Sequence, residues 1–146
     1  MKKILSIVVM AIIAIQFVAA REVVTRDEMQ LPLTARNFIN QHFTQPQISY
    51  IKIESELLKG KKYEVVLTNG TELDFDSKGE WMEIDCKRSA VPASIIPGYV
   101  KEYVNQNFKD NIITQMDRDR RGIEVELNND LSLKFDRNGK FYRLDD

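Results

Sequence analysis

Apolar residues recur along this chain with two different periods, and the change from one to the other happens twice. Ala35, Phe38, Ile39 and His42 stand at i, i+3, i+4 and i+7 with Phe43 beside them, and Val100, Tyr103, Val104, Asn107 and Phe108 repeat that spacing. A 3.6-residue period gathers these side chains into one stripe of a helix, which must be packed against another element to leave water. Pro32 and Pro97 suit the start of such helices, and Pro46 and the Lys109-Asp110-Asn111 run suit their ends. After each stripe the period falls to two. Tyr63, Val65 and Leu67 alternate with Glu64 and Thr68, and Thr71, Leu73 and Phe75 alternate with Glu72, Asp74 and Asp76. Asn69-Gly70 between these runs predicts a tight hairpin. In the later run Asn129-Asp130 takes that place and keeps an asparagine, a residue that tolerates positive φ. Phe75-Asp76-Ser77-Lys78-Gly79 and Phe135-Asp136-Arg137-Asn138-Gly139 predict a second turn, opened by aspartate and closed by glycine. Trp81 to Ile84 and Phe141 to Leu144 then form closing strands. Trp81 and Ile84 have opposite parity, so that strand either carries a bulge or is apolar on both faces. Upstream, Ile48, Tyr50-Ile51 and Ile53, and later Ile112-Ile113 and Met116, predict one more strand in each run, joined onward through residues 54–62 and 117–122.

The two runs are copies. Residues 63–85 shifted by 60 meet residues 123–145 with nine of 23 positions identical and no gap. The helix block at residues 31–43 matches residues 96–108 with a shift of 65, so the later copy lacks five residues in the intervening loop. The predicted fold class is α+β, with two tandem α-β(4) repeats that share an antiparallel sheet and pack their helices on one of its faces. Residues 31–86 form the first repeat and residues 87–146 the second. Phe38/Tyr103, Phe43/Phe108, Leu67/Leu127, Leu73/Leu133 and Phe75/Phe135 are expected at equivalent buried positions. A single copy of about 55 residues would be marginal alone, which argues for one joined sheet.

The N-terminus adds a location. Met1-Lys2-Lys3, an apolar stretch from Ile4 to Val18 and the small residues Val18-Ala19-Ala20 ahead of Arg21 are the three parts of a signal peptide over residues 1–20. Residues 21–30 are then an N-terminal extension. The apolar stretch is shorter than the roughly 20 residues of a spanning helix. No cysteine adjoins the cleavage point for lipid attachment, so the chain is expected in the periplasm or secreted, with no stable membrane anchor. Without the two lysines of the leader, 19 basic residues stand against 22 acidic ones. That balance is no nucleic-acid footprint. Cys86 is the one cysteine, so the exported fold relies on its core rather than on an internal disulfide.

Little in the chain carries catalytic chemistry. His42, the single histidine, lies on an apolar helix face and reads as a polar residue at the core edge. There is no His/Cys cluster at zinc spacing, no glycine-rich phosphate loop and no EF-hand spacing. Arg118-Asp119-Arg120-Arg121 reads as a solvated hairpin tip. The expectation is no enzyme, no metal site and no cofactor. Two helices on one face leave the other face of the sheet open, and that face is the candidate binding surface. Its candidate residues are Val66, Glu72, Asp74, Glu126 and Lys134 from the central strands, with Trp81, Met82 and Tyr142 as large anchors of the kind favoured at interfaces. The expected partner is an unidentified protein or peptide of the cell envelope. The alternative is a small ligand or divalent ion in the groove between the repeats, suggested by the duplicated acidic turns.

The Leu-Pro-x-x-x-x-x-Phe-Ile-x-x-x-Phe helix, the Asn-Gly hairpin and Phe-Asp-x-x-Gly-x-Trp, duplicated behind a leader, resemble the PepSY-like family of small exported bacterial proteins with a β-lactamase-inhibitor-like description. The likeness covers roughly residues 31–145. It implies a two-layer arrangement like that of the β-lactamase inhibitor protein, a tandem repeat that lays a concave sheet face on an enzyme. It also implies a peptidase or another envelope enzyme as the class of partner, since PepSY domains are proposed to restrain peptidases. The paired cysteines of that inhibitor are missing here, and no residue matches a known inhibitory contact.

Overall fold

The computed structural model describes residues 21–146, so the predicted leader lies outside the described residues. Pro32 and Pro97 cap the two helices with extended backbone, at φ −54 and ψ 145 and at φ −58 and ψ 146. Each proline therefore fixes the entry direction at a place where its missing N–H costs no intrahelical bond. Helix α1 is Leu33–His42 and helix α2 is Gly98–Asn107. Ala35 and Ile39 of α1, and Val100 and Val104 of α2, are buried, as the 3.6-residue stripes require.

Nine strands form one antiparallel sheet in which every neighbour in sequence is a neighbour in space. They are β1 (Arg21–Thr25), β2 (Ile48–Glu56), β3 (Gly60–Leu67), β4 (Glu72–Phe75), β5 (Trp81–Asp85), β6 (Ile113–Arg118), β7 (Gly122–Leu127), β8 (Ser132–Asp136) and β9 (Phe141–Asp145). The order α1-β2-β3-β4-β5 is followed by α2-β6-β7-β8-β9. The two stretches meet where β5 pairs with β6, with Glu83 opposite Asp117, Ile84 opposite Met116 and Asp85 opposite Gln115. Strand β1 was not expected. Residues 21–30 read as an extension, yet Arg21–Thr25 pairs along its whole length with Thr25 opposite Ile51 and Arg21 opposite Ser55. Only Val23 and Val24 in it are apolar and both are exposed, so it shows no alternation to detect. Backbone pairing holds it, with one cross-strand ion pair from Glu22 to Lys52 of β2 at 3.5 Å.

The parity problem at Trp81 is resolved by a bulge. Phe75 lies opposite Trp81, but Asp74 lies opposite Glu83, so Met82 is the additional residue. Trp81 and Ile84 can then both face the helices. Strand β9 has the same irregularity, with Phe135 opposite Phe141 and Lys134 opposite Arg143. Further register shifts lie between Ile48 and Tyr50 in β2 and between Ile113 and Gln115 in β6.

One core runs beneath both helices. Phe75 and Phe135 are fully buried, as are Leu67, Leu73, Leu127 and Leu133. Phe38 of α1 meets the Phe75 ring edge-on at 5.8 Å, and Tyr103 of α2 meets Phe135 edge-on at 5.5 Å. Edge-to-face contact places the positive rim of one ring on the negative face of the other. Burial is less even than the sequence implies. Phe43 is buried, whereas Phe38, Tyr103 and Phe108 are only partly so, because they lie on the margins of ten-residue helices that cover the sheet incompletely.

The β4–β5 turn explains its own sequence. Asp76 Oδ1 accepts the backbone N–H groups of Lys78 and Glu80 at 2.9 and 3.0 Å, and Asp136 does the same for Asn138 and Lys140 at 2.9 Å each. Gly79 has φ +83, and a Cβ there would lie 2.8 Å from Pro32 Cβ and 2.9 Å from the Ala35 nitrogen. The turn is thus pressed onto the start of α1, where glycine alone fits. In the β7–β8 hairpin the residue with positive φ is Asp130 (φ 67) rather than Asn129. Asn129 instead accepts the Leu131 N–H through its side chain.

Removing either fully buried ring should be severe. Phe75→Ala or Phe135→Ala is expected to cost about 3–5 kcal/mol, a large part of the roughly 5–15 kcal/mol available to a small domain. Urea unfolding checks this: a midpoint close to the parent's for either variant would contradict the packing described.

Candidate functional site: the open face of the sheet

Alternation along the strands turns a second set of side chains away from the helices, and most of these are charged. Cation–carboxylate pairs hold its flanks. On one side Lys52 lies 2.8 Å from Glu54, Lys62 lies 2.6 Å from Asp74, and Lys87 lies 3.0 and 2.6 Å from Glu72 and Asp85. On the other, Lys134 lies 2.8 Å from Asp145 and 3.6 Å from Glu124.

The centre is different. Glu83 and Asp117 are directly opposed across the β5–β6 pair, and among the described residues neither has a cation within ion-pair distance. The amide nitrogen of Gln115 donates to both, at 3.2 Å each. Burial and then the charge of Asp117 raise the Glu83 carboxyl above its usual value. Burial, aided by Glu124 and Glu126, raises that of Asp117, which the Gln115 amide partly offsets. The middle of the sheet therefore holds two carboxylates without an ion pair of their own, the charge at Glu83 offset only in part by Lys62.

Beside this pair lies a groove of about 610 Å³. Asp74, Glu83, Asp117 and Glu124 contribute carboxylates to it, while Lys62, Arg121, Lys134 and Arg143 contribute cations. Met82 and Tyr142, the residues added by the bulges of β5 and β9, stand on its wall and are exposed. Of the residues proposed from sequence, Asp74, Met82, Lys134 and Tyr142 come together here. Val66, Glu72 and Glu126 have no part in the lining. Val66 and Glu72 are paired across β3 and β4, and Glu126 lies opposite Gln115, at the further end of the strands.

Trp81 must be corrected. It is 9% exposed and belongs to the core, because the bulge turns it toward Phe75. Arg118 closes over it: the guanidinium carbon lies 4.2 Å from the ring centre, and Nε and Nη2 donate to the Trp81 carbonyl at 3.1 and 2.7 Å. Arg118 is therefore more than a solvated tip residue. Glu83, Asp117, Arg121 and Arg143 were missed. The opposition of Glu83 and Asp117 requires both the β5 bulge and the register between the halves, and no local pattern encodes either.

The remaining chemistry-bearing residues are accounted for by structure. His42 Nδ1 lies 2.8 Å from Ser94 Oγ and its ring packs on Phe38, tying α1 to the linker before α2. Cys86 is buried, and burial raises its thiol pKa, so thiolate chemistry is disfavoured. Among the described residues no three His, Cys, Asp or Glu side chains converge on a metal position, and no helix is long and apolar enough to cross a membrane.

Residues 61–143 match the family model described as "Putative beta-lactamase-inhibitor-like, PepSY-like". The chain belongs to this PepSY-like family. Among curated proteins none matches it significantly. Solved structures do. A Bacteroides vulgatus protein, described as a "putative periplasmic protein of unknown function", is 44% identical with a TM-score of 0.83, over 86% of this chain and 100% of that one. A Bacteroides thetaiotaomicron protein, described as a "putative calcium-regulated periplasmic protein", is 38% identical with a TM-score of 0.80, over 87% of this chain and 97% of that one. A second B. vulgatus protein, also described as "putative periplasmic", is 36% identical with a TM-score of 0.79 and the same coverage as the B. thetaiotaomicron protein. The periplasmic descriptions of these structures agree with the compartment, periplasmic or secreted, read from the leader of this PepSY-like chain.

The central carboxylates give a pH prediction. A raised carboxyl pKa means that ionisation opposes folding, so the penalty is present at neutral pH and fades as both carboxyls protonate. Glu83→Gln should melt above the parent at pH 7, with the gain shrinking toward about pH 4, near the ordinary carboxyl range. Melting scans across pH test this. A Glu83→Gln variant less stable than the parent at pH 7 would show that the charge is structural.

Proposed function

We propose that this protein is a non-enzymatic binding module of the periplasm, built from two copies of one α-β(4) unit, which holds a protein or peptide on the open face of its sheet. The observation that carries the reading is the charge left over on that face. Glu54, Glu72, Asp74, Asp85 and Asp145 on the flanks each pair with a lysine, while Glu83 and Asp117, directly opposed, share one neutral amide. A partner that places a lysine or arginine between them removes a repulsion that the free protein carries, so binding gains twice from one contact. Met82 and Tyr142 supply apolar contact beside it, with the aromatic enrichment typical of binding hot spots. Between β5 and β9 lie four strand spacings, about 19 Å, enough to seat a loop or a short extended segment. A peptidase or another envelope enzyme is the partner class that the family resemblance favours.

The second reading, a divalent ion or small ligand in the groove, draws on the same carboxylates and on the calcium-regulated description of the 38%-identical protein. It ranks lower because, among the described residues, no three carboxylate, histidine or cysteine side chains converge on one point.

Protein carrying an affinity tag and purified from the periplasm would be used to capture its envelope partner, and the affinity then compared with Tyr142→Ala and Glu83→Lys variants. Both positions face outward, so folding should be kept. Each variant is expected to lose at least about fivefold in affinity, in line with a hot-spot contribution of roughly 1 kcal/mol or more. Equal binding by parent and both variants would reject the open face as the site. A thermal shift of several degrees with calcium alone, abolished by Asp117→Asn, would move the assignment to the second reading.

A further inference from the structure

Strand β9 closes the sheet, and beyond it the described chain offers no further strand. Its counterpart β5 shows what such an edge does when covered. Ile84 lies opposite Leu73 in β5, as Leu144 lies opposite Leu133 in β9. Ile84 is fully buried, with Met116 of β6 beside it, whereas Leu144 is 45% exposed. The Cys86 N–H donates to the Thr114 carbonyl of β6 at 2.9 Å. Alternate residues of a strand direct their backbone groups to the same side, so Ile84 also directs its N–H and C=O at β6. The equivalent groups of Leu144 point outward from β9 into solvent.

From this edge we propose that two copies of the protein pair through β9, antiparallel about a two-fold axis at Leu144. The register follows from the sequence Arg143-Leu144-Asp145. With Leu144 opposite Leu144 of the second copy, each donates its N–H to the other's carbonyl, the closed pair of bonds found at a hydrogen-bonded antiparallel position. The two half-exposed leucines meet on the helix-covered face. On the open face Arg143 comes opposite Asp145 of the second copy, and Asp145 opposite its Arg143. A shift that centres the axis on Arg143 would instead set two guanidinium groups against each other, which opposes that register.

Both partners of this cross-strand pair are already poised. Arg143 Nε lies 2.6 Å from Asp145 Oδ1 within the strand, so the ions need only exchange partners. The bulge at Tyr142 restricts pairing to the residues after it. The contact is therefore small, falls below the area of a standard stable interface, and forms a weak, concentration-dependent dimer. It has a consequence for the groove. Tyr142 and Arg143 line it at the β9 edge, so pairing brings the second copy's Asp145 to its border and joins two open faces into one surface. This inference rests on the edge geometry alone and stands whether or not the open face binds a partner.

Sedimentation equilibrium of the protein purified from the periplasm tests it, at concentrations from the low micromolar range to several hundred micromolar. The parent is expected to move from monomer to dimer with concentration. Arg143→Glu and Asp145→Arg should each weaken association about tenfold or more, and the double variant, with the charges exchanged, should recover most of it. Leu144→Lys should stay monomeric, and its unchanged circular dichroism and melting would show that the fold is kept. A parent that stays monomeric throughout overturns the proposal. So does a dimer that persists equally in Leu144→Lys, or a double variant no better than the singles.

Discussion

The pairing of β5 with β6 is the contact on which the rest of this structure depends. Each half brings one ten-residue helix and four strands, and a unit of that size buries too little apolar surface to be secure alone. With no disulfide available, the remedy is to join the sheets. Ile84 and Met116 meet at the junction, both fully buried, and the core becomes continuous from α1 to α2. The same pairing brings Glu83 and Asp117 together on the opposite face. The junction that secures the core therefore also opposes two carboxylates with no ion pair of their own, where a binding function can use them.

The bulges reconcile these two faces. A regular strand with Trp81 and Ile84 three residues apart would send one of them into solvent. Adding Met82 restores both to the core and leaves a flexible apolar side chain on the groove wall. In β9 the bulge at Tyr142 likewise sets Phe141 beside Phe135, while Leu144, at the sheet edge, stays half-exposed. One device thus serves packing on the inner face and recognition on the outer, and the cost is local loss of ladder hydrogen bonding.

What could be read from the sequence follows from how local each feature is. The helix stripes, the Asn69-Gly70 hairpin and the Asp76 and Asp136 turns depend on residues a few positions apart, and each was legible. Strand β1 was not, since it has two exposed valines and borrows its register from β2. Trp81 was placed on the wrong face because parity cannot say where a bulge falls. Glu83 and Asp117 were missed because their opposition joins residues 34 positions apart, through a pairing that only the assembled sheet determines. Asp74, Met82, Lys134 and Tyr142 could be named because simple alternation, or their size, marked them.

The central claim is that the two halves are one cooperative structure joined at β5 and β6, and equilibrium unfolding in urea tests it most directly. Trp81 is the single tryptophan and lies under Arg118 of β6, so its fluorescence reports on the junction. Amide exchange at Val125 and Leu133 reports on the second half. The two signals are expected to share one midpoint within error. Continued protection of Val125 and Leu133 at urea concentrations where Trp81 is fully exposed would contradict it, and would show two independent units where one sheet is described.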